Sequence, residues 1–191
     1  MSLRYRRMKP EDIDACVHTI ERHPFVGPTY DNNFTELARA WRTIQAEDAC
    51  CAFVFEETTG NQVRLLGPAV WVAVNDKFAA DIQRPPFRWV GPELARLINQ
   101  GHSPVVSHQE LRDNNSRSGI NIVAWPSSPA PDDTSRMDVN HFIMQAFVQS
   151  VRGYQLKQIF SSPPLWMKQR RFFSGAPRWR PRLACARIFL S

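Results

Sequence analysis

Gly119-Ile120-Asn121-Ile122-Val123-Ala124-Trp125, then Ser135-Arg136-Met137-Asp138 opening a run with Val139, Phe142, Ile143, Ala146, Phe147 and Val151 on one face, then Tyr154 to Phe160: this stretch decides the fold. Its outer segments are rich in β-branched and aromatic residues, whereas its middle repeats every 3.6 residues. That spacing predicts strands at 119–125 and 154–160 joined by a helix over 137–152, which Gly153 stops. A strand, a helix and a second strand in one sheet lie parallel, because the crossover is too long for a hairpin. The loop from Pro126 to Thr134 holds three prolines and leads into the helix.

Working outward toward the N-terminus, Leu3 to Met8 reads as a first strand, and Pro10 suits the first turn of a helix over 11–22. Ile13, Cys16, Val17 and Ile20 share that helix's apolar face, with Glu11, Asp12 and Asp14 near the positive end of its dipole. Asn33-Phe34-Thr35-Glu36 caps a second helix over 35–47, striped by Phe34, Leu37, Ala38, Trp41 and Ile44. Cys50 to Glu56 and Val63 to Asn75 read as an antiparallel pair across the turn Thr58-Thr59-Gly60-Asn61. Gly67-Pro68 interrupts the second of them and marks a bulge or a free edge, because proline brings no amide to a ladder. Residues 76–118 read as an insertion, with a short helix between Pro92 and Gly101 and a capping box at Ser107-His108-Gln109-Glu110. Beyond 160 the periodicity weakens, leaving a short helix over Leu165 to Phe173 and a strand over Ala184 to Leu190.

The 43% apolar and 22% charged residues are those of a globular chain, which excludes a disordered or fibrous class. The positive N-terminus lacks an apolar core after it, so the expected address is the cytoplasm. Ala69 to Val74 is far too short to cross a bilayer, which takes about 20 residues, so no membrane span is expected. Cys16, Cys50, Cys51 and Cys185 lack ligand spacing with any histidine; they read as small buried hydrophobes, and no metal is expected. The net charge of +6 is unevenly placed: residues 152–191 hold nine Lys or Arg and no acid, whereas residues 1–151 hold 15 basic and 18 acidic groups.

The order strand, helix, helix, strand, hairpin, strand, helix, strand resembles the GNAT (acyl-CoA N-acyltransferase) superfamily. The nearest local matches are Leu3 to Asp14, similar to that family's opening strand and helix, and Phe147 to Leu156, similar to its cofactor-side helix running into the next strand. The resemblance covers residues 1–160, with 76–118 inserted and 161–191 left as a basic C-terminal tail. It implies a mixed, mostly antiparallel α/β (α+β) sheet flanked by helices. It further implies transfer of an acyl group from an acyl-CoA, such as acetyl-CoA, or from a carrier-protein donor to a small-molecule amine.

In the family a glycine-rich turn between the fourth strand and its helix binds the cofactor pyrophosphate through backbone amides. The corresponding segment here, Pro126 to Asp138, has no glycine and includes Asp132, Asp133 and Asp138. The groups it retains for a phosphate are Ser127, Ser128, Ser135 and Arg136. The resemblance also asks for a carboxylate base on a central strand. Glu56 and Glu57 end a strand and fit that role, although paired glutamates before a turn ordinarily lie in solvent. The family's acid is a tyrosine after the fifth strand, and residues 155–191 contain none.

Three functional classes follow. The chain is an N-acyltransferase with a divergent donor site, or a catalytically degenerate GNAT-like domain for ligand sensing or protein contacts. The third class is a nucleic-acid binder that uses Lys168 to Phe173 and Arg178 to Arg182, where cations alternate with aromatics that suit an anionic partner.

Overall fold

The computed structural model describes residues 2–23, 26–45, 47, 50–86, 88–125 and 136–161, excepting the side chains of 136–140 and 161. Five strands form one sheet: β1 (Ser2–Arg7), β2 (Cys50–Thr59), β3 (Gln62–Val74), β4 (Ile120–Trp125) and β5 (Leu156–Ser161). They lie in the order β1-β2-β3-β4-β5, antiparallel up to β4, with β4 and β5 parallel. This is the mixed, mostly antiparallel sheet that the resemblance implies. The expected crossover is present: α6 (Arg136–Val151) joins the two parallel strands.

Alternation along the strands sends side chains to two cores. On the first face, Val54, Val70, Val72 and Val123 are at most 1% exposed and pack beneath four helices. These are α1 (Ile13–Glu21, after a 3-10 turn at Pro10–Asp12), α2 (Phe34–Gln45), α3 (Asp76–Asp81) and α4 (Val90–Asn99). On the second face, Trp71, Ile120 and Ile122 meet Ile143, Ala146, Phe147 and Val151 of α6, and Leu111 of α5 (His108–Arg117). Each helix stripe expected from spacing therefore finds a sheet face to cover.

The structure departs from the expected boundaries in two places. First, the hairpin is tighter: Thr59 pairs with Gln62, so only Gly60 and Asn61 turn the chain, with Gly60 at φ 60°. β3 runs unbroken through Gly67-Pro68, which marks a bulge and a free edge as expected. The register slips between Phe55 and Glu56 and leaves Leu66 as the extra residue, while β4 pairs with β3 only from Val70 to Val74. Pro68 thus falls past the end of the β4 ladder, where no amide is required. Second, α3 was not foreseen as a separate helix; Asn75 caps it by accepting from the Phe78 amide at 2.8 Å. The expected box at Ser107 and Glu110 forms reciprocally, at 3.2 and 2.7 Å. The helix and strand expected beyond residue 161 lie outside the described residues.

Candidate functional site

Glu56 and Glu57 are neighbours on β2 and therefore point to opposite faces of the sheet. Glu56 lies on the first face at 5% exposure, which corrects the expectation that it is solvated. Its cross-strand partner is Arg4, whose Nε donates to Oε2 at 2.8 Å, while the Arg6 Nε donates to Oε1 at 3.0 Å. Arg6 also grips both carboxylate oxygens of Asp12, at 2.6 and 2.9 Å. Asp12 is held below its ordinary pKa, first by this Arg6 contact. The result is a chain of alternating charges, Arg4-Glu56-Arg6-Asp12, that ties β1 and β2 to the start of α1. Glu57 stands across from Leu3 and accepts from the Arg64 Nε and Nη2, at 3.1 and 2.9 Å. The two candidate bases do not meet in one site, and each already has a guanidinium partner.

Of the residues assigned to a cofactor, Ser127, Ser128 and Ser135 lie outside the described residues. Arg136 is the first residue of α6, and only its backbone is described. What the structure describes nearby is the C-terminal end of β4, and on the first face that end is filled. The Trp125 Nε1 donates to the buried Tyr30 hydroxyl at 2.7 Å, and the Trp41 ring meets Trp125 edge-on at 6.0 Å. Burial pushes the Tyr30 phenol pKa up, so it stays protonated. Gly91 of α4 closes the cluster; a Cβ there would stand 2.6 Å from both the Trp125 Nε1 and the Tyr30 hydroxyl.

At the other end of β4, Asn121 is 2% exposed and donates to Asp76 at 2.7 Å. The Lys157 Nζ reaches both oxygens of Asp76 at 2.9 Å, from the residue that bulges out of the β4–β5 ladder. This junction anchors α3 to the two parallel strands. Cys16 and Cys50 are buried, and desolvation pushes both thiols up to about 12, so neither is a nucleophile at neutral pH. No group of three or more potential metal ligands occurs among the described residues. No helix among them is long and apolar enough to cross a membrane.

Two concavities flank α4. One, of about 460 Å³, lies between α3 and α4, lined by Phe78, Ile82, Leu97 and Pro104 together with several cations. The other, of about 720 Å³, lies between α4 and residues 29–36. Asp31 and Asn32 on its wall adopt left-handed φ of 47° and 61°. Asn99, also on that wall, donates to the Glu36 carbonyl at 2.8 Å, and its buried Oδ1 has no partner among the described residues. Arg96 borders both spaces. Apart from Asn75, the cavity between α3 and α4 is lined from within 76–118, the segment that reads as an insertion. The available signal was Lys77, Arg84, Arg88 and Arg96 spread over 20 positions with two acids among them, Asp81 and Glu93.

No known family and no curated protein matches this chain. Among solved structures, it is similar to a transcriptional regulator from Bacillus halodurans C-125, at 9% identity and a TM-score of 0.44, over 94% of this chain and 98% of that one. It is also similar to an acetyltransferase from Trypanosoma brucei, at 12% identity and a TM-score of 0.42, over 95% of this chain and 99% of that one.

Proposed function

We propose that this chain is a small-molecule-binding domain built on acyltransferase architecture, in which ligand binding is retained and acyl transfer is not. The observation that carries the reading is the state of Glu56. A general base must be free to take a proton from an amine, whereas Glu56 is buried and spans two arginines. The packing of Trp125, Tyr30, Trp41 and Gly91 adds to this, because it occupies the first face at the end of β4. The concavities beside α4 supply room for a ligand; 460 Å³ falls within the roughly 300–1,000 Å³ of ordinary small-ligand sites.

The second reading is the N-acyltransferase itself, and the intact β4-α6-β5 crossover favours it. On that reading the amine nitrogen attacks the thioester carbonyl of an acyl-CoA, gives its proton to Glu56, and expels a thiolate. Incubation with acetyl-CoA and an amine panel, followed by thiol release, separates the two. The proposal expects no release above the uncatalysed rate. Release that is lost in Glu56→Gln would replace the proposal with the transferase.

A further inference from the structure

We propose that the cavity between α3 and α4 binds a small amphipathic anion, a compound bearing a phosphate or carboxylate on an apolar body. This rests on the ligand-binding reading above and names the ligand class for one of its concavities. The first observation is charge. The lining holds Lys77, Arg84, Arg88 and Arg96 against only Asp81 and Glu93, in a stretch of chain (1–151) where acids outnumber bases by 18 to 15. A cleft walled by one sign of charge raises the local concentration of the opposite sign.

The second observation is how those charges are arranged. Glu93, its side chain 12% exposed, is consumed by Arg88 and Arg96: Arg88 donates to it at 2.5 Å, and Arg96 donates Nε and Nη2 at 2.9 and 2.7 Å. Arg96 gives Nη1 to Gln100 at 2.6 Å and is thereby turned along its own helix. Glu93 thus fixes Arg88 in place without occupying its remaining N–H groups. Lys77, at the start of α3, makes no ion pair among the described residues. Arg84 meets only the half-exposed Asp81, at 3.3 Å. Donor capacity for an anion therefore lies on Lys77 and on the remaining N–H groups of Arg88 and Arg84, all of which line the cavity.

The third observation is the apolar part of the lining. Phe78, Ile82, Leu97 and Pro104 supply apolar surface that a bare ion would leave unused. An anionic headgroup on Lys77 and Arg88 with an apolar body on these residues uses both kinds of lining.

Titration calorimetry on the full chain tests this with phenyl phosphate, inorganic phosphate and benzyl alcohol, which present the whole ligand, its headgroup and its body. Phenyl phosphate should bind, either fragment should bind at least about tenfold more weakly, and added salt should weaken binding. Lys77→Glu and Arg88→Gln should each weaken it by about tenfold or more, the factor carried by a charge-assisted hydrogen bond. Both residues are exposed, and the urea midpoint of Lys77→Glu should stay at the parent value. Absence of phenyl phosphate binding, binding indifferent to both variants, or a fragment binding as tightly as the whole would each overturn the proposal. Thiol release from acetyl-CoA would instead overturn the ligand-binding reading and leave the cavity result to stand separately.

Discussion

At the scale of single residues, Phe147 lies on α6 against Trp71, with ring centroids 5.5 Å apart and 9% of its surface exposed. Phe147→Ala should cost about 3–5 kcal/mol in urea unfolding, the range for a buried aromatic; a loss below about 1 kcal/mol would place that face in solvent. The arginines on Glu56 should behave unequally. Arg4 is 58% exposed and serves Glu56 alone, so Arg4→Ala should cost about 1 kcal/mol or less. Arg6 joins Glu56 to Asp12, whose side chains are 6% and 12% exposed, so Arg6→Ala should cost about 3 kcal/mol. Equal losses in the two variants would contradict the alternating chain. The face that carries Phe147 was legible from its helical spacing, but the Glu56 chain was not, because two adjacent glutamates before a turn look solvated. Glu56 is buried because β1 brings arginines across from some fifty positions earlier in the chain, a contact that only pairing register creates. Lys77 and Arg88 were equally hidden, since only the folded chain brings segments 75–88, 93–97 and 102–104 around one cavity.

At the scale of elements, α6 and its two flanking strands were legible because the switch between periods 2 and 3.6 belongs to the sequence itself. The end of β2 and the start of β3 were not, since a hairpin's length depends on which residues find partners. Helix α3 was missed for a related reason. Six residues are too few to show a stripe, and its stability comes from the Asn75 cap and the burial of Phe78. Gly91 gives an element-level test of the packing at the end of β4. In an exposed helix, Gly→Ala stabilises by roughly 1 kcal/mol. In α4 the new methyl would stand 2.6 Å from the Trp125 Nε1 and the Tyr30 hydroxyl, so Gly91→Ala should lower the thermal midpoint. A raised midpoint would show that α4 does not press on Trp125.

At the scale of the whole molecule, four carboxylates anchor separate parts of the fold, and all are held below their ordinary values. Asp12 is lowered first by Arg6, Asp76 by Lys157, Glu93 by Arg96 and Glu110 by the Ser107 backbone. A depressed folded-state pKa gives stability that is complete above the unfolded value and is lost as pH falls through the folded one. With ordinary values of 3.8 for Asp and 4.5 for Glu, stability should be level from about pH 5 to 7 and decline below about pH 4.5. Urea midpoints measured from pH 3 to 7 check this, and a midpoint that rises on acidification would contradict it. The arrangement of β1 reaches further than its contacts with β2. It pairs on one side only among the described residues, and it presents Arg4, Arg6 and Arg7 along its length. A second copy aligning on that open edge to extend the sheet would bring guanidinium rows together in water. Charged arginines along an edge strand make it a poorer template for pairing with a second copy.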